Sequence, residues 1–213
     1  LDPEEIKDTK LMMLFTTGVG NLMTKSPVQK LEDLQGMEIR ATGLSAKTLE
    51  VLGALPVAMP QSDTYEALSK GVCKGNLAPN ETLEGWRHAE VTDYLTITPF
   101  LYNTLFFATI NLDTWNSLPP DIQSVIEEVT EKYYEEVAIG LWDTINDSGL
   151  KFAVEETGME VINLSDEETA RWMEKIQPIH DDFLTDMEGK GLPGEEALEV
   201  AKRLADKYNE IYK

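Results

Sequence analysis

Arg40 is the residue of this chain whose type and position most clearly suggest chemistry. It is one of four arginines among 213 residues and lies near the end of the segment "MEIRA", whose alternation predicts a short β-strand. In an α/β layer, the carboxyl end of a strand opens onto the crevice where ligands bind. A guanidinium there presents a planar fork of donors that matches a carboxylate. A surface ion pair with an aspartate or glutamate is the alternative, and the local sequence leaves both readings open.

Side chains for catalysis or metal binding are few. The chain has two histidines, His88 and His180, and a single cysteine, Cys73. Its sequence contains no H-E-x-x-H, paired-cysteine, G-x-S-x-G or phosphate-loop motif. The segment "TGVGNL" carries Gly18 and Gly20 but lacks the third glycine of a dinucleotide site. We therefore expect no catalytic residue, no cofactor and no metal.

The net charge of −21 argues against nucleic acid or an anionic membrane surface as a partner. The charge is uneven, since 24 of the 39 acidic residues but only 9 of the 18 basic ones follow residue 118. Acidic pairs such as Glu127-Glu128 are typical of a solvated helix face rather than of a catalytic acid and base. No apolar stretch approaches membrane-spanning length.

Short elements alternate over the first 118 residues. Strands are predicted at 11–17, 37–41, 55–59, 76–79, 93–98 and 104–112. Helical segments separate most of them, at 31–34, 45–51, 62–71 and 81–86. This alternation predicts an α/β layer fold with mostly parallel pairing.

A different pattern follows Pro119-Pro120. Apolar residues recur every three or four positions for more than thirty residues, which predicts a long helix that spans two lobes. The positions on this face are Ile122, Val125, Ile126, Val129, Tyr133, Val137, Leu141, Ile145 and Phe152. A last strand, "MEVINL", precedes a helix with a predicted kink at Pro178 and then a final amphipathic helix.

Several linked segments resemble the solute-binding subunits of tripartite ATP-independent periplasmic (TRAP) transporters. In chain order they are "LEDLQGMEIRATG", "LGALPVAMPQSDTYEALSKGVCKGNLAP", "INLDTWNSLPPDIQSVIEE" and "GMEVINLSDEE". The resemblance covers nearly the whole chain. It implies a periplasmic-binding-protein-like α/β fold, with two lobes that close on a ligand and a long helix across both. It also implies a periplasmic protein that binds a small organic acid, catalyses nothing and delivers its ligand to membrane subunits.

The same resemblance implies which residues contact the ligand. The family's carboxylate-binding arginine corresponds to Arg40, whereas the second arginine of sialic-acid-type members has Gly20 near its place. One fixed charge suggests a monocarboxylate with an aromatic or aliphatic tail. Lys74 replaces the usual aspartate, so the role of that acid is in doubt. Further contacts are implied at Gln61, Ala78 and Asn80, and we expect Thr17, Gly18 and Gly20 to line the mouth of the cleft.

Family members begin with a secretion signal and a strand–helix unit of the first lobe, neither of which is recognisable here. We therefore expect an incomplete first lobe. The predicted regions are 1–100, the second-lobe ligand-binding region; 101–118, the crossover; 119–158, the long spanning helix; and 159–213, the C-terminal strand and helices. Since 104–112 is apolar on both sides, we expect the chain to dimerise or to stay associated with a separate N-terminal lobe.

Two other classes of function stay open at this point. A hydrolase or lyase could hold an anionic substrate with Arg40, but it would need a base of shifted pKa nearby. An acidic helical interaction module would instead use residues 119–213 as its working part. Protection by a ligand confined to residues 10–80 would favour binding over a scaffold role.

Overall fold

The computed structural model describes residues 4–134, 137 and 139–211. Its strands are β1 (Thr9–Thr16), β2 (Gly20–Thr24), β3 (Glu38–Arg40), β4 (Leu55–Val57), β5 (Gly75–Pro79), β6 (Tyr94–Ile97), β7 (Leu105–Asn111) and β8 (Glu160–Asn163). Its helices are α1 (Gly43–Val51), α2 (Gln61–Lys70), α3 (Glu81–Gly85), α4 (Leu112–Ser117), α5 (Pro120–Tyr133), α6 (Ile139–Glu155), α7 (Asp166–Ile176), α8 (Pro178–Gly189) and α9 (Gly194–Ile211). Contacts divide the chain into two compact units, Leu1–Ser165 and Asp166–Lys213.

A six-stranded mixed sheet forms the centre of the first unit, in the order β4-β3-β5-β2-β6-β8. β3 runs parallel to β4 and β5, and β6 runs parallel to β8, but β2 runs antiparallel to both β5 and β6. Three of the five pairings in this sheet are thus parallel, as the alternation predicts, and the two antiparallel pairings are those made by β2. Parallel neighbours need a crossover connection, usually a helix. Helical crossovers link β3, β4 and β5, but β2 follows β1 with no helix between them.

The interior of this sheet is closed to solvent and contains buried polar residues such as Asn21 and Asn76 beside its apolar core. Every residue of β2 and of β5 is buried, as expected for central strands covered on both faces. Met23 and Leu95 pack with Leu83 of α3 and with Ala153 of α6 in one core cluster. The core thus fixes α3 and α6 against the sheet, and both helices contribute to the site described below.

The other sheet is a ribbon of β1 and β7, paired antiparallel with an irregularity between Leu11 and Met13. Large apolar side chains of this ribbon meet solvent, among them Leu105 at 61% and Phe107 at 59% exposure. The apolar face of α5 is likewise exposed, with Val129 at 59%. The exposed face of α5 and strand β7 carry the apolar positions that the sequence predicts to pack on further strands.

The predicted long helix corresponds to α5 and α6. Its continuity depends on residues 135, 136 and 138, which lie outside the described residues. Within the described ranges, no helix has the length and apolar character needed to cross a bilayer.

The second unit contains α7, α8 and α9. The predicted interruption at Pro178 is confirmed, because α7 ends at Ile176 and α8 begins at Pro178. Proline suits the first turn of a helix, where its missing N–H is not needed. Val200, Leu204 and Tyr208 lie on one side of α9 and are partly exposed.

Candidate functional site

A cavity of about 420 Å³ lies in the first unit, where three parallel strands end. Arg40 ends β3, Gln61 begins α2 shortly after β4, and Ala78 and Pro79 end β5. All four residues line the cavity, since the carboxyl ends of parallel strands meet at the same edge of a sheet. The end of β1, the start of β7, the first residues of α3, the segment at Tyr102 and Trp142 of α6 contribute further parts of the wall.

Arg40 is the only arginine that lines this cavity, and its side chain is held by backbone rather than by an acid. It is 8% exposed, and its Nε and Nη2 donate to the carbonyl oxygen of Met59 at 3.1 Å and 2.9 Å. No ion pair to Arg40 is present in the part of the chain that the structure describes, so the surface-pair reading is wrong. Burial lowers the pKa of Arg40, but a guanidinium stays charged at any physiological pH.

Two further polar groups of the cavity have unused hydrogen-bonding capacity. Gln61 Nε2 and Glu81 Oε2 are shielded from solvent and have no hydrogen-bond partner within the described ranges. Burial raises the pKa of the Glu81 carboxyl to about 7. The backbone N–H groups of Thr82 and Glu81 favour the ionised form and therefore act in the opposite direction on this pKa. Buried polar groups normally find partners, so these two atoms are candidates for contact with a ligand.

Aromatic side chains form much of the wall. The Phe15 ring of β1 stacks on Phe106 of β7, with 5.5 Å between centroids, and on Trp142 of α6, with 6.0 Å. Tyr102 and Trp86 complete the aromatic lining. Trp86 is 45% exposed, so it is not a core residue. A planar apolar group could stack in such a site.

A buried polar pair, Asn76 and His88, lies near Arg40, and the charge of Arg40 acts on the His88 ring. Asn76 and His88 are fully buried, and Asn76 Nδ2 is 3.2 Å from His88 Nδ1. Burial, and secondarily the charge of Arg40, lowers the pKa of His88 to about 4. Cys73 is also buried, which raises the pKa of its thiol. Neither His88 nor Cys73 lines the cavity.

The structure brings together four of the residues predicted from sequence, namely Arg40, Gln61, Thr17 and Ala78. It does not bring Gly20 or Asn80 to the cavity wall. Gly20 lies behind Tyr102, and Asn80 Oδ1 accepts a hydrogen bond from Asn21 Nδ2 at 3.0 Å.

The other two positions noted in the sequence also have definite places. Gly18 lines a smaller neighbouring cavity of about 220 Å³, together with Thr17 and Trp142. Lys74 does not line the cavity, and its Nζ donates to the Gly71 carbonyl oxygen at 3.0 Å, at the turn that ends α2.

Sequence reasoning missed Glu81, Tyr102 and Trp142 as cavity residues. Glu81 follows the end of β5 by two residues, so the rule that ligands meet strand ends could have found it. Nothing in the local sequence distinguishes Tyr102 or Trp142 from core aromatics, because their place depends on how β7 and α6 pack.

Comparison with known proteins places this geometry in a family. The model of the bacterial extracellular solute-binding proteins, family 7 (DctP), matches residues 1–186. The C4-dicarboxylate-binding periplasmic protein DctP of Rhodobacter capsulatus is 28% identical over 184 residues, which cover 84% of this chain and 54% of that protein. The chain spans about half the length of the curated relatives it matches.

Solved structures agree with the family match. A TRAP periplasmic solute-binding protein from Desulfovibrio salexigens is 35% identical, with a TM-score of 0.76 over 97% of this chain and 64% of that one. A marine metagenome TRAP solute-binding protein specific for aromatic acid ligands, in complex with 3-hydroxybenzoate, is 30% identical. Its TM-score is 0.87, over 96% of this chain and 65% of that one.

The predicted α/β fold and the resemblance to TRAP solute-binding subunits are therefore confirmed, and the chain belongs to the bacterial extracellular solute-binding proteins of family 7.

Proposed function

We propose that the protein is an extracytoplasmic solute-binding protein that captures an aromatic monocarboxylate and delivers it to the membrane subunits of a TRAP transporter. The observation that carries this proposal is the state of Arg40. Its buried guanidinium is fixed by the Met59 carbonyl oxygen, lines the cavity and has no carboxylate partner within the described ranges. A buried cation without a counter-charge favours an anionic ligand.

The charges of the cavity favour one carboxylate over two. Arg40 offers donors to a first carboxylate, and the unpartnered Gln61 Nε2 is a further donor on the same wall. The remaining ionisable carboxyl in the lining is Glu81, which would repel a second carboxylate when ionised. In this preference for one carboxylate, the protein would differ from its Rhodobacter relative, which is named for C4-dicarboxylates.

The aromatic wall favours a planar ligand. The Phe15 ring already stacks on Phe106 and on Trp142, and ring pairs of this kind gain about 0.5–1.5 kcal/mol beyond the area that they bury. The relative specific for aromatic acids supports the same choice. The periplasmic compartment and the transporter partner are proposed from family membership, and cell fractionation of the source organism tests the compartment.

Tryptophan fluorescence of the full-length protein tests the ligand class, because Trp86 and Trp142 line the cavity. The ligands to be titrated are benzoate, cyclohexanecarboxylate and succinate. Native mass spectrometry of the protein as purified is a second, independent measurement. We expect benzoate to bind most tightly, then the saturated ring, then the dicarboxylate. Tightest binding of succinate, or no binding of any member, would overturn the proposal.

A hydrolase or lyase is the second candidate, because Glu81 is a group of shifted pKa in the same cavity as Arg40. Mass spectrometry of the bound acid after prolonged incubation separates the two functions. A binding protein returns the acid unchanged, whereas an enzyme returns a product.

A further inference from the structure

Glu81 stands out within the cavity because its surroundings satisfy its carboxyl only in part: the backbone N–H groups of Thr82 and Glu81 favour the ionised form, but one oxygen is left over. Its Oε2 is shielded from solvent without a hydrogen-bond partner in the described part of the chain. The neighbouring polar groups are engaged elsewhere. The Thr82 hydroxyl donates to the Pro79 carbonyl oxygen at 2.8 Å, and Asn146 accepts from the Glu81 backbone N–H at 3.1 Å. The Asn146 amide donates in turn to the Trp142 carbonyl oxygen at 2.6 Å.

Polar side chains such as Thr42, Gln61 and Tyr102 also line the cavity, but none of them donates a hydrogen bond to Glu81 Oε2 within the described ranges. Leu77, Pro79, Trp86 and Trp142 line the same space, and burial raises the pKa of Glu81 to about 7. Both the carboxylate and the carboxylic acid are therefore populated near neutral pH. A partner that suits this group must accept either form.

A hydroxyl group meets that condition, because it donates to a carboxylate and accepts from a carboxylic acid. An ammonium group would require ionised Glu81 in an apolar wall, and a second carboxylate would require a shared proton. We propose that Glu81 is a specificity-determining residue, whose side chain hydrogen-bonds a hydroxyl group on the aromatic acid that Arg40 binds. This inference rests on the proposed function and adds the substituent that the ligand carries.

The test compares benzoate with 2-, 3- and 4-hydroxybenzoate, by fluorescence titration of the full-length protein at pH 7. We expect the wild type to bind at least one hydroxylated isomer about tenfold or more tightly than benzoate, since a buried acceptor then gains its missing donor. Glu81→Leu should bring that ratio to within about twofold, because leucine is of similar size and cannot accept a hydrogen bond from the hydroxyl group. Glu84→Leu is the matched control, since Glu84 lies on the same helix, is exposed and does not line the cavity.

Glu81→Gln provides a second variant of nearly the same volume. It should weaken binding of the hydroxylated acid several-fold more than binding of benzoate, because an amide is a weaker acceptor than a carboxylate. A merely structural role would lower both affinities equally.

A wild type with no preference for a hydroxylated isomer, or a ratio unchanged in both variants, would overturn the inference. Failure of the proposed function gives a different result: no aromatic acid binds, or Arg40→Ala binds them all as tightly as the wild type.

Discussion

The Met59 carbonyl oxygen accepts two hydrogen bonds from the Arg40 guanidinium, from Nε at 3.1 Å and from Nη2 at 2.9 Å. Arg40 ends β3, and Met59 follows the parallel neighbour β4, in which Val57 is the register partner of Arg40. The backbone therefore orients the guanidinium before any ligand arrives. Such preorganisation reduces the entropy that binding must otherwise cost.

We expect Arg40→Ala to weaken ligand binding at least about tenfold, since truncating one partner of a desolvated charge pair costs about 2–5 kcal/mol. Arg40→Lys should not restore affinity, because an ammonium cannot hold Met59 and a carboxylate in the fork geometry of a guanidinium. Isothermal titration calorimetry of the full-length protein with benzoate measures both. Arg203→Ala, at an exposed position on α9, is the control. Wild-type affinity in both Arg40 variants would remove Arg40 from the site.

We expect Gly20→Ala to lower both stability and ligand affinity. A Cβ atom at Gly20 would lie 2.6 Å from the Tyr102 side chain, and Tyr102 lines the cavity. Over-packing of a buried site costs about 1–3 kcal/mol, and here it would also displace a cavity wall. Thermal melting with and without benzoate measures the two effects. Gly85→Ala is the control, because nothing lies within 4 Å of the added atom. Equal melting temperatures for the two variants would contradict the prediction.

We expect His88 to make the protein less stable in acid. Its pKa falls from 6.5 in the unfolded chain to about 4 in the folded protein, so the unfolded state binds more protons between these values. The contribution of His88 to the free energy of unfolding is therefore fully present above about pH 6.5. This contribution is lost as the pH falls towards 4, by roughly 3 kcal/mol in total. Urea unfolding at pH 7 and at pH 4.5 measures the loss.

The matched pair for this experiment is His88→Gln and His180→Gln. The first should reduce the difference in unfolding free energy between the two pH values, because glutamine does not titrate. The second is the control for replacing a histidine as such, since His180 lies at an exposed position of α8. An undiminished acid loss in His88→Gln would show that other groups cause it.

We expect the 213-residue chain to associate in solution. Phe107 of β7 and Val129 of α5 are each 59% exposed, and a groove of about 460 Å³ lined by residues of β1 and α5 adds to the apolar surface. Monomeric proteins rarely expose such patches. Light scattering measures the mass, and the double variant Phe107→Lys with Val129→Lys should reduce association. A wild-type monomer that binds a small acid tightly would contradict this expectation.

The sequence by itself determined the local elements and the most informative residue. Periodicity and turn residues predicted β3, α2 and the interruption at Pro178, because backbone preferences act over a few neighbouring residues. They also placed Arg40 at a strand end. The linked motifs predicted the family, which no single motif could do.

Only the tertiary structure decided what surrounds Arg40. β2 arrives antiparallel between β5 and β6, and Gly20 lies behind Tyr102 instead of facing the cavity. The cavity joins Glu81, whose Oε2 has no hydrogen-bond partner among the described residues, to the stack of Phe15 with Trp142, and these segments are far apart in the chain. Burial and pKa depend on such long-range packing, and local sequence preferences do not encode which distant side chains will share one cavity.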